Sequence, residues 1–478
     1  MGFALLILAS LGVWPVFGAT ITVINTNDSG IGSLRDAIAN ASPGDTITFG
    51  VTGTITLTNR LYINKNMTIS GPGASSLAIS GNRQTRVLYI DGVTVTISGV
   101  TVRDGNTNGE YWGGAILNWG GTLTLDRIVA TGNFGSQGAI LNASGSLTLA
   151  NSTLSGNSAD YYGGGIENAY GVVTIINSTI SGNYARDSGG GIANGSGTTN
   201  VTNSTIAGNR SGYLGGGIGN DGTMTLSFST LWGNYASAGA GIYSPGTPIT
   251  MKNVLNANNS GGGGNCVGAV TSMGHNLSDD PTCSLSGSGD MNNTPAGLDP
   301  AGLNNNGGPT QTVALLAASA AVDAVPLSNC TDASGTAVST DQRGVVRPQR
   351  TACDIGSFEV QGALYKVNIL YDATKAVQGG ATLPVKLQIL GGTGNNLSSS
   401  SLVVHAIGIT TTLTSTLAPV QDSGGANPNN DFRFDSTLGT TGGYNFNLST
   451  KGLAAGNYNL NFTVAGDSFV YATPFQVK

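Results

Sequence analysis

A block built on Gly-Gly-Gly-Ile-x-Asn returns six times between residues 113 and 244. The copies read GGAILN, QGAILN, GGGIEN, GGGIAN, GGGIGN and GAGIYS. Their isoleucines, Ile116, Ile140, Ile166, Ile192, Ile218 and Ile242, are 24, 26, 26, 26 and 24 residues apart. A second block, N-S-T-[IL]-x-G-N, keeps step at 151–157, 177–183 and 203–209, with a worn copy ending at Asn234. A fixed period in the twenties restricts the chain to a stacked solenoid, whose repeats bury their apolar faces against one another.

Within one repeat, 163–183, period-two alternation predicts three short strands separated by bends. The first holds Ile166, the second Val173 and Ile175, the third Ser178 and Ile180. Second-strand equivalents are Leu123 and Leu125, Leu147 and Leu149, Thr199 and Val201, Met224 and Leu226; third-strand equivalents are Leu154, Ile206 and Leu231. Aliphatics stacked on their own copies, with each strand pairing in parallel to the next copy, make an all-β fold. The expected architecture is a right-handed parallel β-helix with three strands per coil, in roughly nine coils over 49–265. Asn118, Asn142, Asn168, Asn194 and Asn220 fall at one expected bend, and Asn133, Asn157, Asn183, Asn209 and Asn234 at another. Asn and Gly tolerate the positive φ that sharp bends require. Stacked Asn side chains can also hydrogen-bond from coil to coil as a ladder. Glycosylation sequons such as Asn151 and Asn177 are spelled by the repeat itself and are read as part of it.

The flanks divide by composition. Residues 1–19 read as a secretory signal peptide cleaved near Ala19, although Lys and Arg are missing before the apolar run. A retained anchor is the alternative, for which the run is short. Residues 20–48 read as an N-terminal cap, with a strand at 21–24 and a short helix from Ser33, where Ser33 and Asp36 have capping-box spacing. Beyond 265 the period fails. Residues 266–362 are expected to cap the far end and carry Cys266, Cys283, Cys330 and Cys353. Four cysteines fit two disulfides in an oxidising compartment. Three pairings are open, with Cys266–Cys283 and Cys330–Cys353 favoured; zinc is disfavoured because no C-x-x-C occurs. Asp323, Asp341, Arg343, Arg347, Arg350, Asp354 and Glu359 form the densest charge and read as a structural ion-pair network. Residues 363–478 alternate again in VKLQIL, SLVVHAI, YNFNLST and YNLNFTV, the pattern and size of an immunoglobulin-like β-sandwich.

The repeats resemble bacterial surface proteins with polymorphic-outer-membrane-type β-helix repeats. NNNGGPTQT at 304–312, DQRGVVRP at 341–348 and CDIGSFE at 353–359 are similar to the choice-of-anchor Q domain, whose members often open with a segment like 21–49. GGATLPVKLQI at 379–389 and GNYNLNFTVAGD at 456–467 resemble the PxKF-type immunoglobulin-like module. Two departures stand out: ASAAVDAV from Ala318 replaces the family's G-S-P-A-I-D-A-G, and Leu387 stands where Phe is usual. The resemblance implies export and shape, and hardly any chemistry.

Charged residues make up 9% of the chain, the net charge is −6, and no basic stripe exists, which argues against nucleic acid as a partner. An apolar content of 39% with strict periodicity argues against disorder. Hydrolysis of a glycosidic bond needs two positioned carboxylates. The outward first-strand position reads Leu117, Leu141, Glu167, Ala193, Gly219 and Tyr243, so one of six is acidic. His275 and His405 lie outside the coils, and P-loop, H-E-x-x-H and nucleophile-elbow motifs are missing, as is the calcium-binding nonapeptide. The candidate ligand surface is the segment preceding each G-G-G, with Tyr111, Trp112, Phe134, Tyr161, Tyr162, Tyr184, Tyr213 and Tyr235 beside Glu110, Asp160 and Asp187. Stacked in register, these aromatics would line one edge and pack on sugar rings; the plainer role is to shield the bends. The expected function is therefore a secreted or surface-exposed adhesion or scaffold protein, non-catalytic and without cofactor or metal. Its expected partner is an extracellular polysaccharide or cell-surface ligand. The alternatives are a lyase or glycoside hydrolase using Glu110, Asp160, Glu167 or Asp187, and a self-assembling surface-layer component.

Overall fold

The computed structural model describes residues 18–478 apart from 108, 110, 111, 364, 392, 393, 412–416, 422, 424, 466 and 468. The signal-peptide expectation for 1–17 lies outside the described residues, as do Glu110 and Tyr111. Two compact units divide at Val360/Gln361. Among the described residues no helix is long and apolar enough to cross a membrane.

The first unit is a parallel β-solenoid of about 10 turns. One coil runs through Ile166–Asn168, Val172–Ile176 and Thr179–Ser181, giving the three strand rows the alternation predicts. The register is copy on copy: Ile140 pairs with Ile166 and Ile166 with Ile192, while Val173 lies between Leu147 and Thr199. Inward side chains such as Ile166, Val173, Ile175 and Ile180 are fully buried, each contributing about 1.5–3 kcal/mol by leaving water. A fourth, shorter row is added over six coils, at Phe134–Gln137, Ser158–Tyr162, Tyr184–Ala185, Arg210–Ser211, Tyr235–Ala236 and Ser260–Gly261. Two to five residues per strand are too few for alternation to reveal, so the segments expected as loops are strands.

Both asparagine columns form ladders. Asn118, Asn142, Asn168 and Asn194 each donate from Nδ2 to the next Oδ1 at 2.7–3.0 Å, ending on Asn220. Asn133, Asn157, Asn183, Asn209 and Asn234 do the same at 2.9–3.0 Å, ending on Asn259. These ladder residues point inward and are not the ones with positive φ, contrary to the bend reading. The left-handed corners between rows two and three belong to Asn151, Asn177 and Asn203, at φ of 50°, 50° and 55°. Burial explains the difference: only a side chain inside the coil reaches its copy without competition from water.

The glycine blocks have two separate causes. Gly163 and Gly189 are left-handed, at φ of 65° and 68°. A Cβ on Gly164 would fall 2.4 Å from the Gly190 carbonyl oxygen, because successive coils cross there backbone to backbone.

At the N-terminus, Thr20–Val23 pairs with Asp45–Phe49, and the helix Leu34–Asn40 buries Leu34, Ala37 and Ile38. The Ser33 hydroxyl accepts from the Asp36 amide at 3.2 Å, but the Asp36 carboxylate takes the Gly32 amide rather than completing the box on Ser33. At the other end Cys266–Cys283 and Cys330–Cys353 are the two disulfides. The segment after 304 runs back along the flank of the solenoid as well as covering its end. Gln342 bonds Thr179 and Thr205 (2.8 and 2.7 Å), and Ser357 bonds Thr205 and Thr230 (2.9 and 3.0 Å). Those threonines are one third-row column, so the DQRG and CDIGSFE motifs latch this segment onto three coils. The charge cluster pairs Arg343 with Asp341 at 2.6 Å, Arg347 with Glu359 at 2.8 Å and Arg350 with Asp323 at 3.7 Å.

The second unit has a four-stranded and a three-stranded antiparallel sheet. Val385, Leu387 and Phe446 from one and Val404, Phe462 and Phe475 from the other share one apolar core.

Candidate functional site: an aromatic strand row

The fourth row arranges the aromatics by register. Phe134 pairs with Ser158, Ser158 with Tyr184, Tyr184 with Arg210, Arg210 with Tyr235, and Tyr235 with Ser260. Rings therefore occupy every second coil of one column, about 9.6 Å apart for two strand spacings. Phe134, Tyr184 and Tyr235 keep 37%, 40% and 40% of their surface in water. Arg210 places its guanidinium 4.8 Å from the Tyr235 ring centre, a cation–π contact that holds the arginine flat beside it.

The remaining rings do not join that column. Tyr162 pairs with Gln137 and bridges Ser188, four residues beyond Ser158 and Tyr184 of that column. Tyr161 lies in step with Asp187, whose amide bonds the Tyr161 carbonyl at 2.9 Å, and Tyr213 follows one coil on. Tyr162 and Tyr213 are exposed, at 42% and 61%. The expected single edge is thus a sheet face with three neighbouring columns. Trp112 belongs elsewhere: it packs edge-on against Trp119 at 5.2 Å, beside the first row.

The carboxylates are dispersed. Asp160 is exposed on the fourth row. Asp187 is bound by Arg186 Nε at 3.1 Å, and Arg186 stacks 4.6 Å from the Tyr161 ring centre. Glu167 is outward by alternation yet only 7% exposed, which corrects the expectation of an open first-strand face. Backbone of the preceding coil packs against its main chain: a Cβ on Gly138 would lie 3.1 Å from the Glu167 amide. Glu167 therefore sits in a covered column with Leu141 and Ala193, and its Oε2 has no hydrogen-bond partner among the described residues. Burial pushes its pKa up to about 8. A carboxyl sealed in this way does not reach a substrate on the fourth row. Among the described residues no three His, Cys, Asp or Glu side chains converge as metal ligands.

Arg186 and Arg210 are members of this face that the sequence reading passed over. Their signal is spacing: Arg210 stands 26 residues after Tyr184 and 25 before Tyr235.

No protein-family model matches the chain. A stretch of 67 residues is 42% identical to proteins named "Probable pectate lyase C" from Aspergillus oryzae and Aspergillus flavus, covering 14% of this chain and 16% of each relative. The chain thus spans about a sixth of the length of these curated relatives. Among solved structures, the PL6 family alginate lyase AlyGC is similar over 63% of this chain and 50% of that one, with a TM-score of 0.33 and 14% identity.

Proposed function

We propose that this is an exported, non-catalytic β-solenoid that binds a linear polysaccharide along its fourth strand row, as an adhesion or scaffold protein. The observation that carries the reading is the column Phe134, Ser158, Tyr184, Arg210, Tyr235. Single exposed rings need no explanation on a protein surface. Rings at every second coil, each keeping over a third of its area in water, form a surface that recurs at the scale of a disaccharide. Flat C–H faces of sugars pack on such rings, while Ser158, Arg210 and Ser260 between them offer hydroxyl and guanidinium partners. Two disulfides fit maturation in an oxidising compartment, and the flanking choice-of-anchor Q-like and immunoglobulin-like segments would serve docking.

The second reading is a polysaccharide lyase or glycoside hydrolase, favoured by the 67-residue similarity to proteins named as pectate lyases. One experiment separates them. The chain is run through gels containing plant, algal or bacterial polysaccharides, and the supernatant is followed by mass spectrometry. Retardation without released oligosaccharides, weakened at least about tenfold by the double change Tyr184→Ala and Tyr235→Ala, supports binding. Soluble products favour the enzyme, and no retardation on any polysaccharide defeats both.

A further inference from the structure

One outward column of the second strand row runs from Thr20 to Thr271 and reads threonine at every coil except at Asn200. Threonine suits an exposed strand, which accounts for the column as such. Over Thr174, Asn200, Thr225 and Thr250, however, residues 332–340 stand alongside and turn the face into a groove of about 700 Å³. Side chains of three successive coils hold that wall. Asn203 Nδ2 donates to the Thr340 carbonyl at 3.0 Å, Ser227 Oγ accepts from the Ala333 amide at 3.0 Å, and Lys252 Nζ donates to Thr331 Oγ1 at 2.6 Å. The Cys330–Cys353 disulfide ties the segment off behind. The floor is polar and unsatisfied: among the described residues the side chains of Thr174, Asn200, Thr202, Thr225 and Thr250 make no hydrogen bond. Asp332 is the one ionisable residue of the lining, and its Oδ1 already accepts from the Ser334 amide and hydroxyl and the Thr336 amide, at 2.9, 2.6 and 2.9 Å. Ile176, Met273 and Val338 add apolar area between the hydroxyls.

We propose that this groove binds a neutral linear glycan, laid across the strands so that successive sugar hydroxyls meet Thr174, Asn200, Thr225 and Thr250. These four span about 14 Å at the usual strand spacing, and each both donates and accepts, as a sugar hydroxyl does. An extended polyhydroxyl chain matches such a repeat along its length. A charged chain would find no countercharge in the lining. A peptide strand would need an unpaired sheet edge, and these strands are paired on both sides. The wall is anchored before the ligand arrives, so little has to be ordered on binding. The groove shares no residue with the aromatic fourth row, and the inference does not rest on that row.

The test is calorimetric titration of the full chain with cellohexaose, xylohexaose, mannohexaose and laminarihexaose. At least one should bind, with an affinity that does not change as salt rises. Thr225→Arg, which sets a long charged side chain on the groove floor, should weaken that binding at least about tenfold, and Asn200→Ala, which only removes an amide, at least about threefold. Thr124→Arg, on the same column two coils before the groove, should leave it unchanged. Unchanged thermal unfolding would show that these variants are folded. The double change Tyr184→Ala and Tyr235→Ala should also leave the binding intact. Binding of none of the four sugars, full binding by Thr225→Arg and Asn200→Ala, or an equal loss in Thr124→Arg would overturn the proposal. An affinity that falls with salt would overturn the neutral class of ligand. Loss only in the tyrosine variant would assign the sugar to the fourth row instead.

Discussion

Arg347 donates from Nη1 to Glu359 Oε2 at 2.8 Å, and both side chains are sealed from water. The same guanidinium bonds the carbonyls of Asp354 and Gly356 at 2.9 and 2.7 Å and lies 4.5 Å from the ring centre of Phe228. Phe228 is a fully buried residue of the coil wall, so one arginine joins the flanking segment to the solenoid. Removing one partner of a buried ion pair strands the other, at a cost of about 3–5 kcal/mol. Arg347→Ala should therefore lower the urea midpoint markedly. The double change Arg347→Met and Glu359→Leu should lower it less, because no charge is left buried alone. A midpoint unmoved by Arg347→Ala would show that the flank contributes little to stability.

The asparagine ladder makes a second prediction. Asn168 accepts from Asn142 at 3.0 Å and donates to Asn194 at 2.9 Å and to the Gly171 carbonyl at 3.1 Å, with no exposed surface. Asn168→Ala leaves the Asn142 amide and the Gly171 carbonyl each a partner short, at about 1–3 kcal/mol per group left unsatisfied. Asn177, in the outer column, is half-buried; its side chain donates to Asn151 at 3.4 Å and accepts from Asn203 at 2.8 Å. Asn168→Ala should thus shift the urea midpoint further than Asn177→Gly, a change that suits the positive φ at 177. Equal shifts would mean that the inner ladder is not what the coils depend on.

What the sequence revealed follows from which forces are periodic. Ile166, Val173 and Ile180 each need their own copy one coil away, so the pattern is written every 24–26 residues and the solenoid could be read directly. Glu167 shows where such reading ends: alternation places it outward, yet it is buried, and Gly138 of the preceding coil, packed against its main chain, carries no apolar signal. The fourth row was visible only as aromatics before each glycine block, since two-residue strands such as Tyr184–Ala185 have no alternation to detect. Gln342 on Thr205 and Ser357 on Thr230 are contacts across more than 100 residues of sequence, which no local pattern encodes.

Glu167 supplies the last prediction, through pH. Its carboxyl, ordinarily near 4.5, is raised by burial to about 8 in the folded chain. Between those values the unfolded chain has released this proton and the folded chain still holds it. The folded state therefore binds more protons in that window, and stability falls as pH rises through it, by up to about 1.4 kcal/mol per pH unit for one group. Below the lower value both states are protonated and the penalty vanishes; above the upper value it is complete. Glu167→Leu places in the column the same side chain that Leu141 already presents to it, and removes the titration. The urea midpoints of the variant and the parent should be close near pH 4.5 and diverge in the variant's favour towards pH 8. A difference that stays constant across the range would show that Glu167 is ionised and paired in the folded protein, and would reopen it as a group able to meet a ligand.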